Sequence, residues 1–163
     1  MHVPQTLQAM AEVKHIMGVT HQILSPQANA PIIGCIQDVL LGAWRLTSPN
    51  TFLEAHTFND LSMQVRYGDG ALPPPAIWVR DRGGRSKVLY TGNQLMSTCL
   101  PEINYAGGGD DPMARGAVRI DRGVLVHGRL NKRQLGKGAG GVVHLCCLDL
   151  GTRRGMRFLS DIQ

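Results

Sequence analysis

The stretch RLNKRQLGKGAGGVVHL, residues 129–145, sets Arg129, Lys132, Arg133 and Lys137 among glycines. These are residue types that hold phosphate. Lysine brings a point charge, arginine can grip with two parallel donors, and glycine lets the backbone come close. Gly136, Gly138 and Gly141 match G-x-G-x-x-G letter for letter. A dinucleotide fold needs those glycines directly after a strand, and here the polar turn from Asn131 to Gln134 intervenes. The residues up to Gln163 also leave too little room for a second strand with its ribose-binding carboxylate. No Gly-Lys-Ser or Gly-Lys-Thr is present, which removes the Walker form. A cationic corner remains, suited to a mobile phosphate backbone more than to one fixed small ligand. The plainer alternatives are a solvated basic face and a tight turn ahead of a buried element.

Other constellations are thin. His2, His15, His21, His56, His127 and His144 have no metal-ligand spacing such as H-x-x-x-H. Cys35, Cys99, Cys146 and Cys147 contain no C-x-x-C pair and read as buried thiols of a reducing compartment. Asp110 and Asp111, beside three glycines and a proline, read as turn chemistry, as does Asp69 with Gly70. There is no G-x-S-x-G elbow. From its own residues the chain declares no catalytic site and no metal site.

The elements that must position the corner follow from size and pattern. A chain of 163 residues, 43% of them hydrophobic, buries one core, and 17 Lys and Arg against 12 Asp and Glu give +5, a mild lean towards polyanions. No apolar run spans a bilayer and no signal peptide opens the chain. Leu7, Met10, Ala11 and Met17 predict an amphipathic helix capped by Thr6 and stopped at Gly18. SPQANAP reads as a loop whose two prolines forbid a regular ladder, and Gln37 to Leu46 reads as a buried helix. A third helix is expected from Thr57 to about Tyr67, with Phe58, Leu61 and Val65 on one face. AIWV reads as an edge strand, RDRGGRSK as a basic loop, and TGNQLMSTCLP as a helix capped by Thr91. YAGGGDDP reads as irregular, AVRIDRGVLVHGRL as a hairpin turning at Asp121, Arg122 and Gly123, and Val142 to Leu150 as a helix ended by Gly151. The sum is mixed α+β and loop-rich, with no clean linker and the composition shift nearest to a boundary at SPNTF.

Three stretches carry a resemblance. HVPQTLQAMAEVKHIMGVTHQILSPQANAPIIGCIQDVLLGAWRLT resembles the region just downstream of the catalytic aspartates in the largest subunit of multisubunit DNA-directed RNA polymerases. ALPPPAIWV with LYTGNQLMSTCLP, then GVLVHGRLNKRQLGKGAGGVVHLCCLDLG, resemble that subunit's pore domain in the same order and spacing. HVPQ, SPQANAP and IQDVLLG are the most specific parts, and SPQANAP is more like the archaeal, eukaryotic and large DNA-virus versions than the bacterial one.

The resemblance implies two parts. Residues 1–47 would be the closing part of an active-site domain built on a double-psi β-barrel, and residues 48–163 the pore domain through which nucleoside triphosphates enter and backtracked RNA is extruded. It places Lys132 and Arg133 at the pore as phosphate contacts, and Pro4, Gln5, Gln27 and Asn29 as supports of the active-site floor. The family's Asp-Phe-Asp-Gly-Asp metal loop falls immediately before Met1. Mg2+ in the complete enzyme is therefore expected to be held elsewhere, with none bound by this segment, which would be inert and prone to association by itself. Implied partners are other polymerase subunits, template DNA, RNA and nucleoside triphosphates, with no membrane, in a nucleus or viral factory. The reading from another class is a stand-alone, non-enzymatic nucleic-acid- or phosphate-binding module.

Overall fold

The computed structural model describes residues 2–66, 72–80, 86–108 and 117–163. Its α+β class is the expected one. The chain begins with α1 (Leu7–His15), a 3-10 turn (Val19–His21), the short strands β1 (Leu24–Ser25) and β2 (Ala30–Pro31), and α2 (Asp38–Leu46). Next come β3 (Phe52–Glu54), α3 (Ala55–Ser62), β4 (Ile77–Arg80), β5 (Ser86–Thr91) and α4 (Gly92–Cys99). The last part holds β6 (Tyr105–Gly107), β7 (Val118–Asp121), β8 (Val124–His127), α5 (Lys132–Leu135), α6 (Val142–Asp149) and α7 (Thr152–Ile162). The sheets are antiparallel and open, in the orders β1-β2, β3-β5-β4 and β6-β7-β8, and no barrel closes among the described residues.

Local chemistry explains the elements that the sequence announced. Thr6 accepts from the Ala9 N–H at 3.1 Å and caps α1. Thr91 forms a capping box with Gln94 at the start of α4. Arg122 and Gly123 both have positive φ, 46° and 79°, the paired left-handed conformation of a two-residue hairpin turn between β7 and β8. The Ile77–Arg80 strand is at a sheet edge, as its three preceding prolines require.

Several expectations are corrected. SPQANAP does form a ladder, with Leu24 opposite Pro31 and Ser25 opposite Ala30. Two residues a side is short enough for Pro31 to take part. α3 begins at Ala55 and ends at Ser62, so Val65 lies past it, and Leu61 is exposed while Phe58 is buried. Ser86 and Lys87 open the central strand β5 instead of closing a loop, and Tyr105–Gly107 is strand where irregular chain was expected. Residues 81–85 and 109–112, with Tyr67, Asp69, Gly70, Asp110 and Asp111, lie outside the described residues. α2 buries only Ala43 fully.

The core is built where α6, α7 and the β6-β7-β8 sheet meet. Val142, Val143, Cys146, Phe158, Leu159, Val118, Ile120 and Leu125 pack there with Met96 of α4 and Leu100 just past its end. α2 reaches the same core through Ala43 and Leu46, so the segments on either side of SPNTF share one apolar cluster. Phe58 and Tyr90 stack with centroids 4.1 Å apart and pin α3 to β5. α1 ends at His15, short of the expected stop at Gly18, and contributes nothing to this core: Leu7, Met10 and Val13 are exposed, as is Met17 beyond its end. Trp44, Trp78 and Met63 add to an outer apolar surface that a small monomer rarely leaves bare.

Candidate functional site

The cationic corner is fixed at both ends by buried groups. Entering from β8, the chain turns at Gly128, whose φ of 101° and close approach to the Ala117 carbonyl exclude a side chain. Arg129 then lays its guanidinium over the Trp44 ring at 5.0 Å. Leu130 is fully buried, and its N–H donates at 3.0 Å to Thr47 Oγ1, which itself donates to the Ala43 carbonyl at 2.7 Å. The end of α2 is thereby bonded to the start of the corner inside the core, where an unmade bond would cost about 1–3 kcal/mol.

Lys132–Leu135, the one-turn helix α5, is closed on itself by its N-cap Asn131 and by Gln134. Asn131 Oδ1 accepts from the Arg133 N–H at 2.8 Å, and Gln134 Oε1 accepts from the Asn131 N–H at 3.3 Å. This capping box was present in the letters N-K-R-Q, and that signal could have turned the expected polar turn into a helix. Gln134 and Leu135 face inward and are buried, so Lys132 and Arg133, which precede them, face solvent. Lys137 is also exposed. Among the described residues no carboxylate forms an ion pair with Arg129, Lys132, Arg133 or Lys137.

The glycines divide by role. A Cβ at Gly136 would stand 2.4 Å from the Lys132 carbonyl oxygen, and one at Gly141 2.9 Å from that of Gln134, so both serve tight packing of the turn. Gly138 and Gly140 have nothing within 4 Å. The Gly140 N–H donates to His144 Nδ1 at 2.8 Å, which puts the ring proton on Nε2 and ties the open glycines to α6. From the other side, the Cys35 N–H donates to the Leu135 carbonyl at 2.9 Å, with Gly34 so close that a Cβ would be 2.7 Å from the Gly136 carbonyl carbon.

The remaining expected site residues divide into two groups. Gln27 and Asn29, both exposed, share the turn between β1 and β2, which Asn29 closes with a φ of 48°. β2 packs on α6, and the chain that leaves it bonds Leu135, so this turn and the corner are braced by one backbone path. Pro4, half-buried, and Gln5, exposed, precede α1 apart from that path.

Burial pushes the Cys35 and Cys99 thiols up to about 11 and Cys146 to about 12. No three His, Cys, Asp or Glu converge among the described residues. No helix among them is long and apolar enough to cross a membrane. Alkylation at neutral pH is expected to be slow at Cys35 and Cys146 in the folded chain and fast after denaturation, as mass spectrometry of labelled peptides would show. The folded thiols hold their protons above the ordinary 9.0, so their contribution to stability is fully present below about pH 9 and is lost as pH rises through about 11–12.

Residues 22–163 match the family described as RNA polymerase Rpb1, domain 3. Over its whole length the chain is 33% identical to the DNA-directed RNA polymerase II subunits RPB1-A and RPB1-B of Trypanosoma brucei brucei. It spans 9% of the length of each.

Proposed function

The chain belongs to the RNA polymerase Rpb1 domain 3 family, a segment of an Rpb1-type largest subunit, and on that footing we propose that it forms part of the floor and pore wall of a transcribing polymerase. In this reading residues 48–163 are the pore domain and residues 1–47 close the barrel-based active-site domain before it. Lys132 and Arg133 contact phosphates of entering nucleoside triphosphates or of RNA extruded during backtracking. Gln27 and Asn29, on the braced hairpin turn, and Pro4 and Gln5 ahead of α1 support the active-site floor.

The single observation that carries the reading is the presentation of Lys132 and Arg133. They are exposed, unpaired among the described residues, and held on a one-turn helix whose other face is buried. Cations fixed in this way position a polyanion without reading its sequence. The described residues do not fit magnesium, because no three suitable donors converge. The nucleotidyl transfer chemistry is assigned to carboxylates outside this segment, which is inert by itself. Its partners are the other polymerase subunits, template DNA, RNA and nucleotides, in a nucleus or a viral factory.

The test is a photo-crosslink. RNA ending in 4-thiouridine is placed in a backtracked complex of the assembled polymerase, and the adduct is mapped by mass spectrometry. The expected adduct lies in the peptide spanning Arg129 to Gly141. Adducts confined to other regions would refute the pore assignment.

A further inference from the structure

Helix α7 breaks a local rule. Its first turn holds Arg153 and Arg154 and no acidic residue, although cations are disfavoured at the positive end of a helix. Arg157, four residues after Arg153, sets like charge beside like charge, which also costs helix stability. Departures of this kind from local preference mark places where a surface serves something besides folding.

Packing fixes where these side chains go. Gly155, Phe158 and Leu159 bury the other face of α7, and Gly155 sits so close under Cys147 that a Cβ would be 2.3 Å from its Sγ. The helix cannot roll. Arg153, Arg154 and Arg157 therefore line, with Leu150 and Glu102, an open cleft of about 530 Å³. Arg154 and Arg157 also interact within the chain, and Arg153 is exposed at the helix start.

We propose that this cleft docks an acidic peptide segment of a partner protein, one that also carries an apolar side chain. Guanidinium groups match carboxylates with two parallel donors, and the exposed Arg153 suits an Asp or Glu there, with Arg154 and Arg157 adding positive charge to the same wall. Leu150, 41% exposed, offers an apolar contact beside them. Two features separate a peptide from a nucleic-acid strand. Glu102 in the lining repels a continuous row of phosphates but accepts a main-chain N–H. Among the described residues no aromatic side chain lines the cleft, although stacking platforms are what grooves for single strands use. Neither Lys132 nor Arg133 lines the cleft.

The test is fluorescence anisotropy on the full chain with two probes, a short labelled peptide alternating Glu and Leu and a labelled oligouridylate of equal charge. The peptide is expected to bind the more tightly. Arg153→Glu should weaken it by about tenfold or more, a loss of about 1.4 kcal/mol. The same substitution places an acid where the helix favours one, so thermal stability should hold or rise, which separates lost docking from lost folding. Lys132→Gln with Arg133→Gln should leave peptide binding unchanged, so failure here is distinct from failure of the pore reading. Tighter binding of the oligouridylate, peptide binding indifferent to Arg153→Glu, or no peptide binding would each overturn the proposal.

Discussion

Replacing Lys132 and Arg133 together by Glu is expected to lower the occupancy of backtracked complexes in the assembled polymerase by about tenfold or more. Charge-assisted hydrogen bonds are worth about 1.5–3 kcal/mol each, and both side chains here are exposed and screened by salt, which lowers that. Roughly 1 kcal/mol apiece remains, and reversal adds repulsion. Salt dependence gives the sharper reading. Each phosphate contact on a single strand contributes about 0.7 to the slope of log affinity against log salt, so losing two should flatten it by about 1.4. Nuclease footprinting of stalled complexes at several ionic strengths would report both quantities. The fold should be untouched, because the capping contacts of α5 come from Asn131 and Gln134, and Leu130 keeps its bond to Thr47. Unchanged occupancy and an unchanged slope would remove both residues from the phosphate path.

What the sequence revealed and what it hid divide along a physical line. Caps and hairpin turns were legible because their chemistry is local: Thr6, Thr91 and the Arg122–Gly123 turn each satisfy backbone within a few residues. β3, β5 and β6 were not. Phe52–Glu54 and Tyr105–Gly107 are three residues long, and a strand that short exists only through its neighbour. The neighbour of β3 is β5, far along the chain. α1 was legible as a helix but not as an unburied one, since periodicity tells which face is apolar and not whether anything covers it. At the corner, the cations and glycines were visible in the sequence, but the bracing was not. The Thr47 hydroxyl and the Cys35 N–H come from distant segments, and nothing in their own surroundings predicts that they hold Leu130 and Leu135.

Gly42 and Gly92 show the same limit in energetic form and should respond to Ala with opposite signs. Gly42 lies in the interior of α2 with nothing within 4 Å of where a Cβ would stand. Ala there removes the entropic handicap of glycine and should stabilise by about 1 kcal/mol. Gly92 opens α4, and its Cβ would fall 1.9 Å from the Leu46 carbonyl oxygen. That oxygen is backbone and cannot swing aside like a side chain. Relief requires α4 to lift off the end of α2, one residue from Thr47 and its bond to Leu130. Overpacking of this severity costs about 3 kcal/mol or more. When reclosing outruns cleavage, digestion tracks the open population, so Gly92→Ala should be degraded roughly a hundredfold faster than the parent and Gly42→Ala several-fold slower. The corner should feel the first change and not the second. Displacing Leu46 pulls on Thr47 and frees the Leu130 N–H, so hydrogen exchange at Leu130 should accelerate in Gly92→Ala alone. Equal digestion rates in the two variants would mean that the α2–α4 junction does not hold the two halves of the chain together.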